Sequence, residues 1–342
     1  MSQPPPNRLV FAGEAIVDLL MWVPALPERG GDMLAEAAAV EVGGGFNIMA
    51  AAVRQGLPAV YAGGHGTGPW GDKVRAALAG EGIGLLRPAD PDVDTGFDVA
   101  LVEAGGERTF VTTLGAESLR EPGAWDQVEV RPGDAVYVSG YGLVPPGSGQ
   151  VLGAWAADLP PGVMLFADPG PLVADIPAAV LGPVLARCDW WSCNQREAAL
   201  LAGSRDPAEA ARRLMRRTGR AGVIVRAGPD GCVLALRASQ PEPGDIPEPG
   251  DIPEPEHIPE PGDIPEPEHI PEPEHIPAPA VTAVDTTGAG DAHSGVFLAG
   301  LAAGLTAAGA ARRANAAAAL AVTRAGAATS PTRAELDRFL GL

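Results

Sequence analysis

The chain has 342 residues, of which 46% are hydrophobic and 20% are charged, a composition that is typical of a globular protein with a substantial core. Its net charge of −19 argues against nucleic-acid binding, although 12 of its 43 acidic residues lie between positions 241 and 276, where Lys and Arg do not occur. No apolar run reaches the roughly 20 residues that span a bilayer, and three cysteines are too few for a disulfide framework. These features argue against a nucleic-acid-binding protein, a membrane-spanning protein and a disulfide-rich protein, and they predict a cytoplasmic one.

Short apolar runs alternate with helical stretches along most of the chain. The runs that have the pattern of buried strands are 9–12, 59–62, 135–138, 163–167 and 223–226. The stretches that have the pattern of helices are 47–55, 73–80, 149–158 and 207–218. Because parallel strands are joined by crossover helices, this alternation predicts an α/β fold with a parallel sheet between two layers of helices.

Two segments interrupt the alternation, at residues 14–42 and 95–115. The first has strand-like pieces around a turn at 27–31, and the second has strands at 97–102 and 108–113 around an Ala-Gly-Gly hairpin signal. Together they predict a small antiparallel sheet that projects from the main body. Ligands in open α/β folds bind beyond the carboxyl ends of the strands, so this sheet is placed to act as a lid.

Residues 241–276 are six copies of a hexapeptide that reads either PEPGDI or PEPEHI. Alternate prolines forbid a helix and favour polyproline II. We expect a solvated linker, inserted into the domain at 241–278. The alternative is an ordered arm that docks on a neighbour with its Pro and Ile side chains inward.

The heptad at 285–291 reads DTTGAGD, after a predicted strand at 280–284 and before a predicted helix at 293–303. Gly288 and Gly290 expose backbone N–H groups at a helix start, where the helix dipole favours an anion. Asp291 places a carboxylate beside that anion to accept a proton. An acid and an anion hole together suit the transfer of a phosphoryl group onto a hydroxyl, although a glycine-rich turn can also be only a turn.

Four other segments carry polar groups at the ends of predicted elements. A glycine run at 43–45 precedes a helix that contains Asn47, and it either admits a small polar ligand or only permits tight packing. Asp18 follows the first strand, either as an acceptor for sugar hydroxyls or as a solvated turn residue. Asn194 and Glu197 open a helix, where the acid either helps to hold hydrated Mg²⁺ or simply caps the helix. A glycine-bearing hairpin at 226–231 joins two strands.

In this order, these segments resemble the ribokinase-like carbohydrate kinase family, the PfkB group. The resemblance covers the chain except the repeat, and is closest to bacterial sugar kinases of undefined substrate through residues 139–141 and 168–171. It implies one kinase domain over residues 1–342, with a Rossmann-like three-layer αβα fold and a small β-sheet lid. It also implies ATP, Mg²⁺ and a sugar with a primary hydroxyl as ligands, and a homodimer through the lid.

The resemblance implies a role for each matching position. Asp291 would be the general base, and the backbone of Gly288, Ala289 and Gly290 would form the anion hole. Four positions would bind the sugar: Asp18, Gly44, Gly45 and Asn47. Asn194 and Glu197 would organise Mg²⁺ and the triphosphate, and Gly228, Gly231 and Asn315 would line the nucleotide pocket. Asp285 and Thr287 would bind a monovalent cation such as K⁺.

Three departures from the family pattern affect the site. Arg226 stands where many members carry Thr, and it either reaches the phosphates or points to solvent. Leu172 stands where many members carry Arg, and Gly44 stands where ribokinase-type members carry Lys, which argues against ribose. Two other functions stay open: a nucleoside kinase with an apolar pocket around Phe46, Phe97 and Trp22, and a non-catalytic sugar sensor or scaffold that displays the repeat.

Overall fold

The computed structural model describes residues 4–105, 107–119, 122–218, 221–237 and 270–342. The strands are β1 (Arg8–Ala12), β2 (Ala15–Val23), β3 (Ala37–Gly44), β4 (Ala59–Tyr61), β5 (Gly84–Leu85), β6 (Phe97–Glu103), β7 (Arg108–Thr113), β8 (Asp134–Ser139), β9 (Met164–Asp168), β10 (Trp190–Asn194), β11 (Gly222–Arg226), β12 (Cys232–Leu236) and β13 (Glu274–Ile276). The α-helices are α1 (Gly45–Arg54), α2 (Pro69–Gly80), α3 (Ser148–Ala157), α4 (Ala178–Arg187), α5 (Gln195–Ala202), α6 (Pro207–Met215), α7 (Ala289–Ala302), α8 (Ala307–Ala321) and α9 (Arg333–Leu340).

A nine-stranded sheet separates two layers of helices, in the strand order β13-β12-β11-β10-β9-β8-β1-β4-β5. Seven neighbouring strands of this sheet are parallel, namely β5, β4, β1, β8, β9, β10 and β11. At the other edge, β12 pairs antiparallel with β11, and β13 pairs antiparallel with β12. Alternate residues of one strand point to opposite faces, so Leu9 and Phe11 enter one core cluster while Val10 and Ala12 enter the other. The first cluster includes side chains of α1, α2, α7, α8 and α9, and the second includes side chains of α3, α4, α5 and α6. The predicted three-layer αβα fold is confirmed.

A second sheet has four strands in the order β3-β2-β6-β7, which confirms the predicted small sheet. Its outer pairs are antiparallel, but β2 and β6 are parallel, so the prediction of a wholly antiparallel sheet is wrong. The chain passes through α1, β4 and α2 between β2 and β6, and this crossover brings β6 back in the same direction as β2.

Two further predictions differ from the structure near the heptad. No strand forms over 280–284 in the described chain; instead the N–H groups of Val284 and Asp285 both donate to the carbonyl of Val322 after α8. Helix α7 begins at Ala289 rather than at 293. The earlier start places Asp291 in the first turn of the helix, next to the glycine turn.

The last hexapeptide copy is part of the main sheet, because β13 pairs with β12 at the sheet edge and Ile276 is 1% exposed. The predicted insertion at 241–278 therefore extends too far at its carboxyl end. Its residues 241–269 lie outside the described residues. In the part of the chain that the structure describes, no helix combines the length and the apolar character needed to cross a membrane.

Candidate active site

The glycine turn of the heptad ends at the amino terminus of α7. Gly288 adopts a left-handed conformation with φ of +69°, which favours glycine, and it is the residue that precedes the helix. Among the described residues, no side chain caps this helix start. The first N–H groups of a helix have no partner within the helix, so this terminus suits an anion.

Asp291 lies in the first turn of α7 and is held by Asn47 from α1. The Asn47 Nδ2 group donates to Asp291 Oδ2 at 3.0 Å. Burial raises the pKa of Asp291 to about 6, with a further upward effect from Asp168, against the lowering effects of the Asn47 hydrogen bond and the Arg226 charge. Asp291 is therefore ionised at neutral pH but is a stronger base than an ordinary carboxylate.

The glycine run before α1 lets the sugar-binding candidates approach one another. A methyl group at Gly43 would overlap the carboxylate of Asp18, and one at Gly44, which has φ of +60°, would crowd the carbonyl of Glu14. The N–H of Gly45 donates to that same carbonyl at 2.7 Å. The run thus packs the start of α1 against β2 and brings Asn47 to the same side of the molecule as Asp18.

Arg226 points into the site rather than to solvent. Its Nη1 donates to Asp168 Oδ2 at 2.6 Å and to Ser192 Oγ at 2.5 Å, and its Nη2 is 3.9 Å from Glu197 Oε2. Burial alone would lower the pKa of Arg226, but the charge of Asp168 and the hydrogen bond to it raise that pKa above its ordinary value. A methyl group at Gly290 would lie 3.5 Å from the guanidinium, so this cation is beside the amino terminus of α7.

Asn194 and Glu197 form a reciprocal cap at the start of α5. The Asn194 side-chain oxygen accepts from the Glu197 N–H at 2.9 Å, while Glu197 accepts from both the backbone N–H and the amide group of Asn194 at 2.8 and 2.7 Å. The capping interpretation is thus what the structure shows. Burial and the Asp168 charge raise the pKa of Glu197, and the carboxylate keeps lone pairs for a water molecule of a hydrated cation.

The other nucleotide-binding candidates surround the end of β13. The Asn315 amide donates to the carbonyl of Ile276 at 2.8 Å. Gly231 has φ of +93°, and a methyl group there would overlap the same carbonyl. Gly228, with φ of +59°, has open space beside it. Asn315 and Gly231 thus position the last repeat copy, and Gly228 alone of the three borders open space.

Asp285 is already bonded to a cation of the protein. Its Oδ2 accepts from Arg108 of β7 at 2.5 Å and from the Gly326 N–H at 3.0 Å, and its Oδ1 accepts from the Thr287 N–H at 2.9 Å. The Arg108 and Asp285 side chains are 13% and 11% exposed. A monovalent cation at this carboxylate would face the guanidinium at contact distance, so the residues present fit such an ion poorly.

A model of the pfkB family carbohydrate kinases matches residues 6–247 and 272–334. The chain belongs to this PfkB family. The uncharacterized sugar kinase YegV of Escherichia coli (strain K12) is 36% identical over 198 residues, which are 57% of this chain and 60% of that protein. The aligned part thus spans about three fifths of the relative's length.

Two solved structures share the fold of this PfkB protein. Arabidopsis thaliana ribokinase complexed with ribose and ATP superposes with a TM-score of 0.72 and 21% identity over 100% of both chains. Burkholderia thailandensis nucleoside kinase in complex with inosine gives a TM-score of 0.72 and 21% identity over 98% of this chain and 96% of that one. At this level of identity the likeness establishes the fold.

Several charged or polar residues of the PfkB site were missed by the sequence reasoning. Asp98 and Glu41 lie beside Asp18 in the small sheet, Arg108 pairs with Asp285, and Tyr141 is half-exposed at the end of β8. Burial raises the pKa of Tyr141 to about 12, helped by the charges of carboxylates that include Asp291. A carboxylate within an otherwise apolar predicted strand marks Asp98 as unusual in the sequence, but it does not show which residues lie opposite it.

Proposed function

We propose that this PfkB protein is an ATP-dependent kinase that transfers the γ-phosphate to a primary hydroxyl of a sugar. The observation that carries this proposal is the arrangement around Asp291. A carboxylate with a raised pKa stands in the first turn of an uncapped helix, next to a glycine turn and a buried guanidinium. A base, N–H donors and a fixed cation are the groups that an in-line phosphoryl transfer uses.

Asp291 is the general base in this proposal and takes the proton of the sugar hydroxyl. Asn47 fixes the carboxylate through its amide N–H, while its buried side-chain oxygen has no partner among the described residues and can accept from a sugar hydroxyl. The backbone of Gly288, Ala289 and Gly290 forms the anion hole for the transferring group. Arg226 adds a positive charge beside that hole and thereby replaces part of what a phosphate-binding lysine would supply.

The remaining candidates divide between the two substrates. Asp18, Gly44 and Gly45 bind the sugar, while Asn194, Glu197 and Gly228 border the nucleotide, and Gly231 and Asn315 support the nucleotide side through Ile276. Mg²⁺, when bound with ATP, neutralises the phosphate charge. Glu197 holds that ion through water in this scheme, because Asn194 fixes the position of its carboxylate.

A nucleoside kinase is the less favoured alternative. Phe46 is buried in the first core cluster, and Phe97 packs against that cluster with its ring 5.6 Å from Trp70. Trp22 packs in the small sheet beside Leu20. The rings of Phe97 and Trp22 are therefore engaged in packing, whereas Phe46 also borders a cavity of about 410 Å³ together with Val42 and Ala77. The homodimer through the small sheet stays a prediction, to be measured by light scattering.

The test is the substitution Asp291→Asn in the full chain, assayed by coupled release of ADP over a panel of sugars and nucleosides. The amide keeps the shape of the side chain but cannot take a proton, so we expect kcat to fall about 10²–10⁴-fold with little change in KM. The wild-type rate is expected to fall as the pH drops through about 6, where Asp291 becomes protonated.

Asp72→Asn is the matched control, because Asp72 is exposed on α2 and the same chemical change there should leave kcat unaltered. An Asp291→Asn protein that keeps half of its activity would remove the general-base assignment. A protein that binds ATP but turns over no member of the panel would point to an untested substrate. A protein that does not bind ATP would move the sensor or scaffold function to the front.

A further inference from the structure

We propose that Asp18 and Asp98 share one proton and form a hydroxyl-binding pair that makes this kinase select neutral sugars over sugar acids. The proposal rests on the proposed function, since it assumes that the pocket beside Asp291 receives a sugar. It adds a specificity residue, Asp98, and a substrate class.

The first observation is a row of carboxylates across the small sheet. Asp18 on β2 is in register with Asp98 on β6 and with Glu41 on β3, so the three side chains lie side by side on one face. Asp18 is 9% exposed and Asp98 is 6% exposed. Like charges directly opposite one another destabilise a sheet, and burial makes the repulsion stronger.

A shared proton removes this repulsion. The Asp18 and Asp98 side chains are near enough to affect each other's pKa, and a hydrogen bond between two carboxyls requires a proton on one of them. Burial raises the pKa of both carboxyls, and for Asp18 the charges of Asp98, Glu41 and Asp291 raise it further. A buried pair of carboxylates that holds a single proton is the arrangement these conditions favour.

Asp18, the first member of the pair, lies near the candidate base. The charge of Asp291 on α7 acts on Asp18, and Gly43 leaves the space that the Asp18 carboxylate occupies. Glu41, the third carboxylate of the row, already has a partner, because its Oε2 accepts from the Ala327 N–H at 2.7 Å. Asp18 and Asp98 are therefore the two carboxyls of the row that remain for a ligand.

Two buried acceptors in this region have no donor among the described residues, Oδ1 of Asp98 and Oδ1 of Asn47. Buried polar atoms are nearly always hydrogen-bonded in folded proteins, so an unpaired acceptor in a site indicates a donor on the ligand. Sugar hydroxyls are such donors. A hydroxyl can also accept a hydrogen bond from the protonated carboxyl of the pair. Two neighbouring sugar hydroxyls can therefore bind, one as donor and one as acceptor, while the pair keeps its proton.

The charge of the pocket sets the substrate class. A sugar acid would bring a further carboxylate against Asp18, Asp98 and Asp291, and repulsion between like charges in a poorly solvated pocket is strong. A neutral sugar adds no charge. An amino sugar would displace the shared proton as its ammonium group binds, which makes it a distinct outcome of the experiment.

The experiment compares matched probes on the full-length wild type, on Asp98→Asn and on the double variant Asp18→Asn/Asp98→Asn. The probes are D-glucose and D-fructose, their acid counterparts D-gluconate and 2-keto-D-gluconate, and D-glucosamine, each tested for binding by calorimetry and for ADP release. Asp92→Asn, an exposed position in the loop before β6, is the control. We expect the wild type to prefer a neutral member over its acid by at least about tenfold in kcat/KM. Asp98→Asn keeps the single negative charge, because Asp18 is then ionised, and should keep the ratio. The double variant Asp18→Asn/Asp98→Asn removes that charge and should narrow the ratio by about tenfold, mainly through KM.

A second readout does not need turnover. A carboxyl whose pKa is raised in the folded state makes the protein lose stability as the pH rises from about 4 to about 7, because the unfolded chain releases the proton first. Asp98→Asn removes one of the two carboxyls, so its Tm should decline less over this interval than that of the wild type or of Asp92→Asn. Glu41 and Asp291, which also lie near the pair, are present in all three proteins, so they do not account for a difference in the Tm decline between them.

A wild type that prefers a sugar acid, or that binds D-glucosamine best with release of a proton, would overturn the selection of neutral sugars. An equal Tm decline in Asp98→Asn and wild type would overturn the shared proton. If no probe is phosphorylated and ATP does not bind, while the calorimetric preference and the Tm difference are both found, the proposed kinase function fails and the carboxyl pair stands.

Discussion

Arg226 shows how a single residue changes the electrostatics of the whole site. Its guanidinium is within hydrogen-bond distance of Asp168 and within 3.9 Å of Glu197, and both carboxyls are largely buried. Without this cation, two adjacent acids would face a triphosphate. With it, the acids are compensated and positive charge lies next to Gly290. A Thr, which many family members carry at this position, could neither compensate the two acids nor place a positive charge beside Gly290. The presence of Arg226 therefore changes the charge of the site.

His293, two residues after Asp291, offers a prediction about stability. It is 2% exposed, and neither ring nitrogen makes a hydrogen bond of good geometry among the described residues, although the Asn315 side chain is close to the ring. Burial lowers its pKa to about 3, so it is neutral. Its ring is parallel to that of Phe297, so a Phe ring fits the same space. His293→Phe should raise the free energy of unfolding by about 1–3 kcal/mol, because it removes buried polar atoms without partners. Urea denaturation measures this effect.

The control for that measurement is His275→Phe, since His275 is exposed and its Nε2 is 2.7 Å from the carbonyl of Asp230. This change should bring no gain in stability. A destabilised His293→Phe protein would show that the ring nitrogens have a partner and that the histidine is retained for it.

At the level of elements, two contacts tie the small sheet to the loops around α7. Arg108 of β7 pairs with Asp285, and Glu41 of β3 accepts from the Ala327 N–H. Both contacts end on segments that adjoin the glycine turn. Movement of the sheet away from the main body would therefore break a partly buried ion pair and a hydrogen bond, at a cost in free energy.

The Arg108–Asp285 pair predicts that activity does not depend on a monovalent cation. We expect wild-type kcat/KM to be the same within about twofold in potassium, sodium and choline chloride at equal ionic strength, because the guanidinium already neutralises Asp285. Arg108→Ala vacates that position, so its Tm should rise when potassium replaces choline. Arg108→Lys, which keeps the charge, is the control. Strong activation of the wild type by potassium would show that Arg108 leaves Asp285 during catalysis.

The same elements show how far the sequence predicts the structure. Main-sheet strands such as β1 were predicted because two buried faces produce a short apolar run. The predicted strand at 280–284 was wrong: Val281 and Val284 are exposed, and apolar character alone did not provide a neighbouring strand. The last hexapeptide was assigned to a linker because of its prolines, yet its proline-free part, Glu274–Ile276, forms an edge strand, where proline nearby is tolerated.

The site residues also divide into those that a local motif predicts and those that it does not. Asp291 and Asn47 could be assigned from glycine motifs at helix starts, since those motifs fix the local backbone. Asp98 and Arg108 could not, because they reach the site through the register of β6 and β7 in the small sheet. A shift of one residue would turn each side chain to the other face, and nothing in the local sequence specifies that register.

At the level of the whole molecule, the last repeat copy completes one edge of the main sheet. Glu272 pairs with Arg212 of α6, Glu274 pairs with Arg312 of α8, and Asn315 binds the carbonyl of Ile276. The acidic residues of this copy thus meet arginines on helices from both layers. An abundance of acids in the repeat therefore does not imply solvation of all its copies, since the sixth is bonded to the fold on both faces.

This division of the repeat leads to a prediction about stability and activity. Deletion of 241–264, the first four copies, should leave the free energy of unfolding and kcat unaltered if those copies are the solvated linker that the sequence predicts. Ile276→Ala should lower the free energy of unfolding by about 2–5 kcal/mol, because the side chain is buried in the first core cluster. Guanidinium denaturation and the ADP-release assay measure both variants.

A point substitution is required at the sixth copy because deleting it would test nothing. The fifth and sixth copies, 265–270 and 271–276, both read PEPEHI, so removal of either yields the same chain with a complete hexapeptide before Pro277. Ile258→Ala, the same change in an earlier PEPEHI copy, is the matched control and should be neutral. If the deletion or Ile258→Ala destabilises the protein as much as Ile276→Ala does, the earlier copies are an ordered arm, and the linker prediction is wrong.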